Sequence, residues 1–285
     1  MRSSPASARA VRAGAAALLA VGLVAGAVAW TSAQPGPDAD GAADDADAVV
    51  FRHLTTEQGL PNARVTSVAQ DALGFVWIGT ADGLGRYDGI EVREFRHGAD
   101  STSLSDNDVY AVAPGLAGQV WVGTSTGLDR YDPATESFQS VRGLPSPTVL
   151  SVAADTAGGV WAGTDGGLAR VEPGATVARA LEADPRDPAA LPHDEVQALL
   201  LDPARGPAGS LWVGTGDGLA RLDVATGRFR TFRPDSTAAT SVSALALSER
   251  GVVLVGTDGA GLFSFSPRTG RFISIDVGPD LSASV

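Results

Sequence analysis

Cysteine is absent from the 285 residues, so no disulfide holds the fold, and cysteine-ligated zinc and cysteine nucleophiles are excluded. Lysine is absent as well, and all 21 basic residues are arginine. Against 33 acids they leave a net charge of -12, which argues against a nucleic-acid binder, a class that normally shows a basic face. Only three histidines occur, His53, His97 and His193, too far apart for a local metal-binding spacing. No glycine-rich phosphate loop leading into a helix, no Ser-His-Asp order and no HExxH run appear. The sequence thus offers no catalytic constellation, no metal site and no cofactor motif. What is abundant is glycine, 35 residues, in a chain with few helical patterns, which points to many tight turns between short strands.

Arg2, Arg9 and Arg12 precede an uncharged apolar run from Ala13 to Trp30. A basic start, an apolar stretch and small residues near Ala29 and Ala33 read as an export signal over residues 1–33. At 18 residues the run is near the lower limit for a spanning helix, so an uncleaved N-terminal anchor is the alternative. In either case the remainder is placed outside the cytoplasm. Residues 34–50, with five Asp and no basic residue, read as an acidic solvated linker.

From residue 51 to 285 one unit recurs five times. Its core reads WIGTADGLGRY at Trp77–Tyr87, WVGTSTGLDRY at Trp121–Tyr131, WAGTDGGLARV at Trp161–Val171 and WVGTGDGLARL at Trp212–Leu222. A degenerate fifth copy, LVGTDGAGLFSF, runs from Leu254 to Phe265. A short apolar segment precedes each, starting at Val65, Val109, Val149, Val196 and Val242. The period averages 44 residues from Val65 to Val285. Each period divides into four short strands separated by turn residues, the spacing of a β-propeller blade. The expected fold is therefore all-β: a propeller of four-stranded antiparallel blades, with five repeats present. Strands are expected at Val65–Gln70, Val76–Thr80, Leu84–Tyr87 and Glu91–Arg96, with equivalents in each later copy. The tryptophans should fill the gaps between blades. The glycine two residues after each should lie where a neighbour comes close.

Strand counting adds an expectation. Phe51–Leu54 matches the register of a fourth strand, and Gly278–Val285 resembles the lead-in to another first strand, so the ring should be incomplete.

The string V-x-S-[VIL]-x-x-D-x-x-G-x-x-W-[IV]-G-T-x-x-G-L-x-R-Y-D resembles the repeat of the two-component regulator propellers. FRHLTTEQGLPNARV, Phe51–Val65, resembles the segment that opens them. The departures are Gly115 in place of Asp, Leu254 in place of Trp and Ser264 in place of Arg. The resemblance implies the periplasmic input domain of a membrane-bound sensor, built on seven-bladed propellers. Its output would be a histidine kinase or a diguanylate cyclase, which this chain does not contain. It also implies a small-molecule or oligosaccharide ligand, since some members respond to glycan fragments, and a possible homodimer of the full sensor. Contact with a membrane would come only through the N-terminal segment or a further C-terminal part. An exported propeller lyase or hydrolase acting on a glycan, and a scaffold for protein contacts, are the competing functions.

Residues present in every blade serve stacking. Arg86, Arg130, Arg170 and Arg221 are therefore expected to be structural, with Asp71 or Asp155 as ion-pair partners. A ligand site needs asymmetry. The connection Glu182–Glu195 is the longest between a fourth strand and the next first strand. It makes Arg186, Asp187, His193 and Asp194 the leading binding candidates. Asp106 and Asp108, in Gly98–Asp108, follow.

Overall fold

A computed structural model describes residues 53–202, 210–234 and 240–276. The export signal, the linker, Phe51, the Gly278–Val285 lead-in and residues 203–209 of the fourth repeat lie outside the described residues. Within them the chain forms twenty strands in five four-stranded antiparallel sheets, each meandering in chain order. Blade 1 comprises β1 (Val65–Gln70), β2 (Val76–Thr80), β3 (Gly83–Tyr87) and β4 (Val92–Phe95). Blade 2 comprises β5 (Val109–Pro114), β6 (Val120–Thr124), β7 (Leu128–Asp132) and β8 (Ser137–Ser140). Blade 3 comprises β9 (Val149–Ala154), β10 (Val160–Thr164), β11 (Gly167–Val171) and β12 (Arg179–Leu181). Blade 4 comprises β13 (Val196–Asp202), β14 (Ser210–Thr215), β15 (Gly218–Asp223) and β16 (Arg228–Phe232). Blade 5 comprises β17 (Val242–Leu247), β18 (Val253–Thr257), β19 (Gly261–Ser266) and β20 (Arg271–Ile275). The expected strands of the first repeat are matched to within one residue at either end. His53 and Leu54, read from the sequence as part of an opening strand, lie in no strand.

The repeat motif explains the turn between second and third strands. The Thr hydroxyl closes it by donating to the carbonyl of the glycine three on: Thr80 to Gly83 at 2.7 Å, Thr164 to Gly167 at 2.8 Å and Thr215 to Gly218 at 3.0 Å. Those glycines have φ of 120°, 140° and 104°, backbone that a side chain rarely adopts.

Adjacent blades meet through their first strands, β1 to β5, β5 to β9, β9 to β13 and β13 to β17. The contact that recurs is a valine pressed against a glycine. A Cβ placed on Gly79 would meet Val109 Cγ1 at 2.8 Å; on Gly123, Val149 Cγ1 at 2.6 Å; on Gly163, Val196 Cγ1 at 2.5 Å. At Gly214 it would meet Val242 O at 2.6 Å. Each tryptophan lies on the same side of its sheet as this glycine and is nearly inaccessible, from 0% at Trp212 to 3% at Trp161. Trp77 packs edge-on against Tyr131 of blade 2 at 4.8 Å, and Trp212 against Phe265 of blade 5 at 5.5 Å.

Among the described residues β17 makes no comparable contact with β1, so the five sheets form an open arc. Burial records this at both ends. Val109, Val149, Val196 and Val242 are fully buried, whereas Val65 is half-buried and Val68 is 40% exposed. On the far face of blade 5, Gly256 meets only its own Ala244, and Ile273 is 67% exposed.

The valine–glycine contact yields a direct test. Gly214→Ala pushes a methyl into a backbone carbonyl and should cost about 1–3 kcal/mol. Gly256→Ala, on the uncovered face, should cost far less. Chemical denaturation of the two variants measures the difference; equal losses would show that the contact does not set blade spacing.

Candidate functional site

The repeated arginines stack on the tryptophan of their own hairpin. The guanidinium lies 5.8 Å from the ring centre for Arg86, Arg130 and Arg221 and 4.9 Å for Arg170. Arg170 also pairs with Asp155 at 2.6 Å, as expected. The expected role of Asp71 is corrected: it accepts the Trp77 indole N–H at 2.8 Å and braces its turn through the Leu73 and Phe75 N–H groups. Arg86 reaches across to blade 2 instead, donating to the Tyr131 hydroxyl at 3.0 Å.

The other recurring device is at one end of the innermost strands. In every blade the residue after the turn threonine donates its N–H to the carbonyl of the residue just before the first strand. The pairs are Ala81 to Arg64, Ser125 to Asp108, Asp165 to Thr148, Gly216 to Glu195 and Asp258 to Ser241. Every first strand then has a register break at its second residue: Thr66, Tyr110, Leu150, Gln197 and Ser243. Such a bulge re-aims a side chain. The backbone frame is constant, yet the side chains at both positions change from blade to blade.

This inner end-face carries two polar groups. In blade 2 the Tyr110 hydroxyl donates to Asp108 at 2.9 Å, and Asp106 accepts the Asp108 N–H at 2.9 Å. Burial, aided by the Asp108 bond, holds the Tyr110 phenol above its ordinary titration range, with the Arg64 charge opposing. In blades 4 and 5 a chain of bonds crosses between sheets. Gln197 donates to Glu195 at 2.9 Å and accepts from the Ser241 hydroxyl at 3.1 Å. His193 Nδ1 accepts the Glu195 N–H at 3.1 Å, and the ring lies against Gly216. An accepting Nδ1 carries no proton, so the neutral ring bears it on Nε2. Its one lone pair is thus already engaged.

Of the sequence candidates, Asp106, Asp108 and His193 fall on this end-face. The other three do not join them. Arg186 and Asp187 are exposed in a turn bonded within residues 184–190, and Asp194 accepts the Ala183 N–H at 2.7 Å. The asymmetry expected of Glu182–Glu195 is also smaller than its length implied. The segment before blade 2 has the same frame: a His97–Leu104 bridge matches Ala183–Leu191, and Thr102 O accepts from Phe138 N as Ala189 O does from Phe229 N. Arg64, Tyr110, Glu195, Gln197 and Ser241 were missed, although their variation at fixed places in the repeat marks them. Among the described residues no group of His, Asp and Glu is arranged to hold a metal ion.

Residues 59–82 match the family described as two-component regulator propeller. The chain carries that repeat. No curated protein matches the sequence significantly. Among solved structures, it is similar to the extracellular domain assigned to a hybrid two-component system, BT3049, of B. thetaiotaomicron. Identity is 22% over 78% of this chain and 31% of that one, with a TM-score of 0.65. A second extracellular domain from that organism, BT4673, gives 22% identity, 75% and 31% coverage and a TM-score of 0.61. The chain thus spans about a third of these domains. Virginiamycin B lyase from Staphylococcus aureus gives 14% identity over 77% of this chain and 73% of the lyase, with a TM-score of 0.60. At these identities the shared feature is the propeller fold.

The Arg170–Asp155 pair carries a prediction with a sign. Burial raises the Asp155 pKa, but the Arg170 bond and charge and the Gly159 and Ala157 N–H groups outweigh it, and the net shift is downward. A carboxylate with a lowered folded-state pKa stabilises the fold above its ordinary titration range and ceases to do so as pH falls through the lowered value. Asp155→Asn should therefore cost about 2 kcal/mol at neutral pH. The deficit should close in strong acid, as read from denaturation curves across pH; a deficit independent of pH would contradict the assignment.

Proposed function

We propose that this chain is the ligand-sensing input propeller of a membrane-bound bacterial signal-transduction protein, working outside the cytoplasm. The output, a histidine kinase or a diguanylate cyclase, would lie elsewhere in the whole protein. The carrying observation is the two-component regulator propeller match at residues 59–82. The extracellular sensor domains that share the fold and the export-type N-terminus support the location. The inner end-face, with variable side chains on a constant frame, suits recognition of a small molecule or an oligosaccharide. Its groups hydrogen-bond one another through Tyr110–Asp108 and Glu195–Gln197–Ser241, which presents preset donors and acceptors.

The lyase likeness favours a second reading, an exported enzyme. One of the similar solved structures is a catalytically inactive histidine-to-alanine variant of virginiamycin B lyase with quinupristin. Here the only histidine on the end-face has its lone pair engaged by Glu195 N–H, which argues against general-base work.

Calorimetric titration of the purified chain with oligosaccharide fractions tests the sensor reading. Binding without turnover is expected, and Gln197→Ala should weaken it at unchanged melting temperature. Conversion of the bound compound, abolished by His193→Ala, would replace the sensor with the enzyme. Binding indifferent to end-face substitutions would move the site.

A further inference from the structure

A cleft of about 660 Å³ lies on the outer flank of blade 2, away from the end-face. It runs along β8, between the segment 97–105 and the connection from β11 to β12 of blade 3. At one end of β8 the Phe138 N–H points off the sheet edge to Thr102 O at 2.8 Å. Beyond its other end Arg142 N–H points off the same edge to Thr176 O at 2.9 Å, and Arg142 O accepts from Ala178 N at 2.8 Å. Backbone direction alternates with period two along a strand, so Ser140, midway between them, points the same way. Ser140 is exposed, and among the described residues its outward N–H and C=O have no backbone partner. The covered edge thus has a gap of one residue.

The walls are specialised. Asp129, fully buried, has no cation partner among the described residues. It accepts from Ser105 N at 2.8 Å and from the hydroxyls of Ser105 and Ser140, both at 2.7 Å. A carboxylate only accepts, so both hydroxyls donate to it; Ser105 Oγ also lies 2.9 Å from the Thr124 hydroxyl, and Ser140 presents its lone pairs outward. His97 Nδ1 lies 2.7 Å from Leu104 O, which places its proton there and leaves Nε2 as an acceptor. The sister flank of blade 4 is an internal control. On the same backbone frame it carries Pro188, Ala189 and Ala190 where this one carries Ser101, Thr102 and Ser103, and Ala220 where this one carries Asp129. The polar lining is therefore not demanded by the fold.

Charge is divided along the cleft. Asp100, two residues before Thr102, stands at one end, and Arg130, which also lines the cleft, is held by the Gln139 side chain. Arg142 stands beyond the other end with no ion-pair partner among the described residues. Ser137 to Arg142 spans roughly 16 Å at strand spacing. A ligand that matches both ends carries separated charges, and an amide is the group that would pair with both the open N–H and the open C=O of Ser140. We infer that this cleft binds a short extended peptide of about four residues with free termini. The ammonium would lie toward Asp100, the carboxylate on Arg142, and one peptide unit would pair with Ser140. The inference stands apart from the end-face reading.

Calorimetry with the full chain and tetraalanine is the test. Binding is expected, weakened about tenfold or more when the peptide is N-acetylated and C-amidated. Arg142→Ala and Asp100→Asn should each weaken it comparably. Ser140→Ala, which keeps the backbone N–H, should retain more affinity than Ser140→Pro, which removes it. Tyr110→Phe on the end-face should change nothing. Absence of tetraalanine binding, equal binding of the capped peptide, or indifference to Arg142→Ala would each overturn the proposal. Arg142 and Asp100 are exposed, so their substitution leaves the fold intact even if Ser140→Pro does not.

Discussion

A valine at the head of each innermost strand rests on a glycine in the second strand of the preceding blade, and this contact governs how close two sheets stand. At 2.5–2.8 Å from a notional Cβ there is room for hydrogen and nothing larger. The tryptophan two residues before that glycine lies on the same side of the sheet, so it must fill the wider part of the same gap. Its indole then dictates where a guanidinium can stack, and the stacked arginine dictates which carboxylate or phenol it can reach. Trp, Gly, Val and Arg are thus consequences of a single packing distance. Their recurrence in four blades carries no functional message.

That hierarchy explains what was legible in the sequence. Strand positions, the turn glycines and the burial of the tryptophans all follow from residues at fixed spacing. The arginines' structural role was legible for the same reason, but the partner of Asp71 was not. Its carboxylate is equidistant in sequence logic from an indole and a guanidinium, and only the geometry of the turn decides for Trp77. The fifth copy reads as degenerate because Leu254 and Ser264 stand on a face that no other described blade covers.

The candidate site was harder to read. The length of Glu182–Glu195 points to asymmetry, yet Leu104 and Leu191 are buried alike beneath two segments of the same build. Arg186 and Asp187 are polar because they are at the tip of such a segment. Side chains just before the first strands are brought side by side by the rotation of the blades, which no spacing along the chain reveals. Tyr110, Gln197 and Ser241 are legible only once the repeats are laid over one another and the positions that vary are separated from those that do not.

The register break in every first strand has a wider consequence. It leaves one residue per blade outside the ladder, where its identity does not affect the pairing within its sheet, though Thr66 donates to Val109 O of the next blade at 2.6 Å. Thr66, Tyr110, Leu150, Gln197 and Ser243 range from aliphatic hydroxyls and a phenol to an amide and a leucine, and the strands around them share one register. Five such places amount to a combinatorial surface. New chemical preferences can be written there by single substitutions, without renegotiating the fold, and the scaffold can diversify faster in what it recognises than in how it stands.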